Sequence, residues 1–276
     1  MEYRILGPLE VVDAGALIDV GGPRHRKLLA VLLVNAGDVV SAERLIDALW
    51  GEDPPNSAAS ILHVRVSEIR NALRAGRLDR SAGIVTQRSG YRLEVEIDEL
   101  DSRRFERLAA AGRQALARAD NASASARLRE ALDLWRGPPL AEVADEPFAG
   151  AEIERLEALQ LQALEDQIEA DLALGHHGEA VVELGVLVAR HPLRERFWCQ
   201  LMLAQYRAGR QGEALRAYQA VRELLVERLG VEPGSELRLL QAAVLSQDRA
   251  LDLVTPGPGE PPTRQRNERC QSRRDA

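Results

Sequence analysis

"SILHVRVSEIRNALRAG", residues 60–76, decides how the rest of the chain is read. Its "HVRV" alternates as a strand would, but only over four residues. On a helix, Leu62, Val66, Ile69 and Leu73 fall within about 60° of one another and make a stripe longer than three turns, so the helical period wins. The opposite side then carries Ser60, Val64, Ser67 and Asn71. His63 and Arg74 flank that side, Glu68 borders it, and Arg65 and Arg70 sit nearer the edges. A merely solvated helix face would also be polar, so the surroundings must say what this one is for.

Upstream, "YRILG", "LEVVD" and "ALIDV" read as short strands within residues 2–21, punctuated by Gly7-Pro8 and Ala14-Gly15. "PRHRKLLAVLLVNAG" (23–37) opens with proline and ends on glycine, the usual asymmetry of helix ends. "SAERLIDALWG" (41–51) follows with Ser41 as N-cap, although Arg44 stands where a capping box would need Glu. "EDPPNS" breaks the chain, and Asn56 or Ser57 can cap the helix that follows. Downstream, "IVTQRSGYRLEV" (84–95) reads as a hairpin turning through "RSG". The order of small sheet, three helices and hairpin is that of a winged helix-turn-helix, with the third helix as its reading element.

Charge supports this organisation. The 276-residue chain has net charge −7, yet residues 60–92 carry +5 and residues 93–254 carry −10. One basic zone in an acidic chain suits a modular nucleic-acid binder. Lys27 is the only lysine among 36 basic residues, so phosphate contacts would fall to arginine. Length allows one or two domains, and an Ala- and Leu-rich composition with 4% aromatics favours helices.

Beyond Asp98 the chain reads as helical throughout. Helix pairs fall at 102–119 with 122–137, at 151–175 with 177–192, and at 193–209 with 211–230; a helix at 233–247 closes the array. "ALGHHGEAVVEL" (173–184) repeats as "RAGRQGEALRAY" (207–218) after 34 residues, aligning Gly175 with Gly209, Gly178 with Gly212, Glu179 with Glu213 and Ala180 with Ala214. That is the tetratricopeptide period, in which small residues let helices cross closely. The fold class expected is therefore mainly α. A winged helix-turn-helix at 1–97 precedes a tetratricopeptide-like helical domain at 98–250, and a Pro- and Arg-rich tail at 251–276 reads as disordered.

Two blocks carry a family resemblance. "RKLLAVLLVNAGDVVSAERLIDALWGEDPPNSAASILHVRVSEIRNAL" (26–73) with "GYRLEV" (90–95) resembles the OmpR-type winged helix of the Streptomyces antibiotic regulatory proteins. "ALDLWRGPPLAEV" (131–143), "LEDQIEADLALG" (164–175), "HPLRERFWCQLMLAQYRAGRQGEALRAY" (191–218) and "LGVEPGSEL" (229–237) resemble the bacterial transcriptional activator domain that follows it there. The resemblance implies a cytoplasmic, nucleoid-associated activator of secondary-metabolite genes. It would bind direct repeats of double-stranded DNA as a side-by-side dimer and contact RNA polymerase and its σ factor. Larger relatives add an ATPase module; here no G-x-x-x-x-G-K-[ST] occurs. Where relatives show "LQVYVSRLR" this chain has "LHVRVSEIR", departing at His63, Arg65 and Glu68 of the reading helix. Specificity at those positions is expected to be its own.

The DNA-contacting set expected is Trp50, Ser60, His63, Val64, Arg65, Ser67, Arg70, Asn71, Arg74, Thr86, Arg88 and Tyr91. Val64 can meet a thymine methyl and Ser67 a groove edge, while Arg70 and Arg65 can reach phosphates and Glu68 can either repel phosphates or accept from a cytosine N4. Arg88 at the wing tip can enter the minor groove or touch phosphate, with Thr86 and Gln87 beside it. The resemblance places Trp50 where an indole N–H can meet phosphate, with a core position as the other reading, and makes Tyr91 structural in the wing or a DNA contact. It also puts "GEDPPN" (51–56) in a loop that can face polymerase. Trp135, Trp198 and Tyr206 are expected to pack between helices.

Enzyme chemistry is not expected. His25, His63, His176, His177 and His191 show no metal-ligand spacing, and Cys199 and Cys270 suggest no disulfide or metal site. No nucleophile has a neighbouring base, so neither cofactor nor metal is implied. The start of the chain lacks a signal-peptide pattern and no apolar run spans a bilayer. The competing class is a tetratricopeptide adaptor whose basic N-terminal unit docks protein rather than DNA.

Overall fold

The computed structural model describes residues 1–75 and 83–252. The tail expected from 251 onward therefore lies almost wholly outside the described residues, as do Arg77 and Arg80 of the basic zone. Strands β1 (Glu2–Arg4), β2 (Glu10–Asp13) and β3 (Ala16–Leu17) form an antiparallel sheet in that order. Helix α1 (Pro23–Val34) starts on its proline and stops before Gly37, which takes a left-handed φ of +91° and donates its N–H to Leu93 O. The helix is thus shorter than its apolar pattern suggests.

A strand that the sequence reading missed comes next. β4 (Val39–Ser41) joins β5 (Gly83–Gln87) and β6 (Gly90–Glu94) in a sheet of order β4-β6-β5. Three residues are too few to show an alternating pattern, and tertiary pairing supplies what propensity does not. Ser41 ends this strand and caps α2 (Ala42–Trp50), its Oγ accepting from Arg44 N at 3.1 Å. Helix α3 (Ala58–Ala75) buries Leu62, Val66, Ile69 and Leu73, the stripe expected.

Helices α4 (Asp101–Ala117), α5 (Asn121–Leu132), α6 (Pro147–Leu174), α7 (His177–Arg190), α8 (Glu195–Arg207), α9 (Gln211–Leu229) and α10 (Ser235–Ser246) complete the chain. The repeat is visible in backbone detail. Gly175 and Gly209 both take positive φ, and the amides of His176 and Arg210 bond to carbonyls five residues back. Ala180 and Ala214 are buried at the crossings. The α4–α5 turn has the same geometry, with Ala119 at φ +58° and Asp120 N donating to Ala115 O. Glycine is missing there, so the likeness of this turn to the other two does not show in the sequence.

The winged helix and the helical array do not separate cleanly. The core around α1 to α3 includes Leu100, Leu140, Val143 and Ala149 from the later segment. Leu6, just after β1, packs instead with Phe105, Leu108 and Leu128 of α4 and α5. Asp101, only 3% exposed, accepts from Ile5 N at 2.8 Å and Leu6 N at 3.0 Å, while Arg136 N and Leu140 N donate to the carbonyls of Leu6 and Ile5. Ion pairs Arg26–Glu142 at 2.7 Å and Lys27–Glu146 at 2.6 Å tie α1 to the region entering α6.

Candidate nucleic-acid interface

With the α3 stripe buried, its other face is turned outward. Ser60, His63, Val64, Asn71 and Arg74 are exposed, and Val64 keeps 53% of its surface open. An aliphatic side chain so exposed among small polar residues suits contact with a thymine methyl. Ser67 is half-buried and its Oγ donates to His63 O at 2.9 Å, which leaves the oxygen's lone pairs for another donor. Arg65 is half-buried, and its Nε is shielded without a partner.

Glu68 does not project freely from this face. His25 Nε2 lies 2.6 Å from Glu68 Oε2, and His25, Ser60, Ile61, Val64, Arg65 and Glu68 line one shallow depression of about 450 Å³. His25 and Ile61 are thus neighbours of the outer α3 face that sequence reasoning missed. His25 lies 43 residues before Glu68 and gave no local signal.

Three of the expected contacts are engaged with one another or with neighbouring groups of the protein. Arg70 was expected to reach phosphate, but its Nε donates to Ile84 O at 2.8 Å and its Nη2 to Thr86 Oγ1 at 2.7 Å. Its guanidinium also lies 5.8 Å from the Tyr91 ring centre, and burial pulls its pKa below the ordinary arginine value. The side chain binds α3 to β5 because the strand's unpaired acceptors lie within its reach. Thr86, though exposed, is held by the same bond. Tyr91 is 8% exposed, its hydroxyl 3.5 Å from His63 Nδ1, and belongs to the wing's core side.

Trp50 also faces elsewhere. It is half-buried against the first core and lines a cleft of about 620 Å³ with Lys27, Arg44, Asp47 and Phe148, on the side where α6 begins. The wing tip is simpler: Arg88 and Ser89 form a two-residue turn and both are exposed. Gly90 lies past the turn, paired with Gln87, rather than in it. Loop 51–56 is mostly exposed. Trp135 and Tyr206 are half-buried, Trp135 edge-on to Phe105, and Trp198 donates to Pro192 O at 2.9 Å.

Removing Arg70 should therefore differ in kind from removing Arg88. Arg70→Ala is expected to lower the urea midpoint, with a loss of about 2 kcal/mol for two hydrogen bonds, and to weaken DNA binding through a displaced wing. Arg88→Ala should leave the midpoint unchanged, weaken all duplexes alike and reduce the salt slope by about one. Equal midpoints for the two variants would contradict the internal role of Arg70.

Among the described residues no cluster of His, Cys, Asp and Glu could hold a metal, and no helix is long and apolar enough to cross a membrane. Residues 20–93 match the family "Transcriptional regulatory protein, C terminal", and residues 100–245 match "Bacterial transcriptional activator domain". The chain is 39% identical to Regulatory protein DnrI of Streptomyces peucetius, over 91% of this chain and 94% of that protein. It is 40% identical to Regulatory protein AfsR of Streptomyces griseus over 91% of this chain but only 25% of that longer protein. The solved structure of Mycobacterium tuberculosis EmbR in complex with a low-affinity phosphopeptide superposes with a TM-score of 0.85 at 35% identity, covering 89% of this chain and 65% of that one.

Proposed function

The chain belongs to the Streptomyces antibiotic regulatory protein family of DNA-binding transcription activators, and from that premise we propose how it reads its promoters and which genes it serves. The genes are those of a secondary-metabolite, antibiotic-type pathway. Residues 1–97 bind DNA, residues 98–250 form the activating unit, and the protein works in the cytoplasm on the nucleoid.

The observation that carries the reading is the outer face of α3, with Val64 exposed among Ser60, Ser67 and Asn71 while the opposite stripe is buried. This helix enters the major groove. Val64, Ser67 and Asn71 read base edges, His63 and Arg65 contribute what is particular to this chain, and Arg74 anchors phosphate. Arg88 meets the neighbouring groove or its phosphates. Arg70, Thr86 and Tyr91 hold the wing in position, and Glu68 is restrained by His25. Two protomers sit side by side on directly repeated half-sites, and the activating unit contacts RNA polymerase and its σ factor.

Binding to duplexes selected from a random pool, measured across a salt series, tests this reading. Affinity should fall steeply with salt, and Val64→Ala or Ser67→Ala should reorder the preferred sequences while total affinity changes little. An unchanged ranking in both variants would refute the reading face. Absence of duplex binding at 50 mM salt would instead favour protein docking by the N-terminal unit.

A further inference from the structure

Helix α3 carries a single acid, Glu68, one turn after Val64 and about 40° from it around the helix axis. An acid there meets a groove lined by phosphates and by base edges that are mostly acceptors, so a freely moving carboxylate would be turned away. This one is held. Glu68 Oε2 lies 2.6 Å from His25 Nε2, and since a carboxylate only accepts, that ring nitrogen carries the proton and donates. The His25 side chain is 18% exposed and that of Glu68 55%, so the holder is sheltered while the held group faces out.

The other edge of the imidazole is fixed as well. A Cβ on Gly21 would stand 3.0 Å from His25 Nδ1 and 3.1 Å from its Cγ, so the ring lies close against bare backbone. Gly21 has a φ of +97°, and its N–H donates to Asp19 Oδ1 at 2.8 Å, which braces the turn before α1. His25 is seated between this turn and Glu68.

Only one carboxylate oxygen is engaged. Glu68 Oε1 makes no hydrogen bond to any described residue and keeps its lone pairs for a second donor. In the major groove guanine offers two acceptors, thymine an acceptor and a methyl, and adenine a donor beside the N7 acceptor, whereas cytosine offers its N4 donor alone. A fixed carboxylate oxygen therefore meets an unopposed donor only at cytosine.

We propose that His25 is a positioning residue for base reading, holding the Glu68 carboxylate so that Oε1 accepts from a cytosine N4–H at one position of the half-site. The inference rests on α3 entering the major groove. Val64 and Glu68 are about 6 Å apart, less than two base-pair steps of about 3.4 Å. The cytosine thus lies within two base pairs of the base that Val64 touches.

Duplexes selected by the full chain from a random pool, with affinity read position by position, test this. The parent should prefer cytosine about tenfold at that position, and Glu68→Gln should exchange it for adenine, which an amide matches at N6 and N7. His25→Ala should cut the cytosine preference to about threefold at that position alone, because Glu68 must then be ordered on binding. His25→Gln, whose amide can donate from near the place of Nε2, should restore most of it. As His25 acts through Glu68, the double variant His25→Ala/Glu68→Gln should select as Glu68→Gln does. The proposal is overturned if Glu68→Gln leaves the selection unchanged or strengthens all duplexes alike, or if the two single effects add. It is equally overturned if His25→Ala leaves the cytosine preference intact or weakens every sequence equally. Val64→Ala, selected alongside, separates the causes of failure. If it shifts the preference at its own position while Glu68→Gln shifts none, the role of Glu68 and His25 falls alone; if neither does, the entry of α3 into the groove falls with it.

Discussion

Gly90→Ala is expected to dismantle the wing sheet and with it DNA binding. A Cβ on Gly90 would lie 1.9 Å from Val40 O and 2.8 Å from Ser41 Cα, far inside contact distance and against backbone on both counts. Strand β4 cannot retreat, because Val40 and Ser41 pair with Tyr91 and Gly90, and Ala42 N donates to Ser89 O at 3.1 Å. Ser41 also caps α2, so displacing it disturbs the helix that precedes α3. Forcing a methyl group into packed backbone destabilises by about 3 kcal/mol or more. The urea midpoint of Gly90→Ala should drop accordingly and duplex affinity should fall at every sequence. A variant with parental midpoint and affinity would show that β4 and β6 can part without consequence.

Asp101→Ala should have an effect of similar size by another route. Its carboxylate serves two buried amides, those of Ile5 and Leu6, and lies 3.8 Å from Arg136 Nη2. Stranding both amides costs about 1–3 kcal/mol each, so a loss near 4 kcal/mol is expected, and Asp101→Asn should lose less by keeping one acceptor. The wild-type carboxyl also carries a pH signature. Burial pushes it up to about 6, against the pull of the Ile5 and Leu6 amides and of Arg136. The folded chain then holds this proton more tightly than the unfolded chain does. The group's contribution is greatest below about pH 4 and declines by roughly 3 kcal/mol as pH rises from 4 to 6. Thermal midpoints over that window should fall less with rising pH in Asp101→Asn than in the parent. Parallel curves would place the titration elsewhere.

The elements that were legible in the sequence are those whose signal is periodic and long. The buried stripe of α3 spans more than three turns, and the 34-residue repeat brought out α6 to α9. Strand β4 was not legible, since three residues carry no period and their pairing depends on a strand some fifty positions later. The site divided in a similar way. Outward residues of α3 followed from its buried side, but the fates of Arg70, Glu68 and Trp50 depended on partners in β5, α1 and the start of α6. An edge arginine looks the same in sequence whether it reaches for phosphate or for a strand carbonyl. Gly90 was read as a turn residue, whereas its need is the close approach of β4.

The joint between α1, β1 and the segment leading into α6 bears on promoter architecture. Shared core residues and ion pairs join the segment that carries α1 to the segment that leads into α6. A protein built this way acts as a set-square on the duplex. On the proposed reading, its bearing relative to polymerase follows the angular phase of its binding site on the duplex. Moving that site by about five base pairs, half a turn of DNA, should turn helices α4 to α10 to the opposite side of the double helix, while a full turn should restore them at a greater distance. With the two regions sharing a core, tolerance for altered spacing falls to bending of the DNA or to the polymerase.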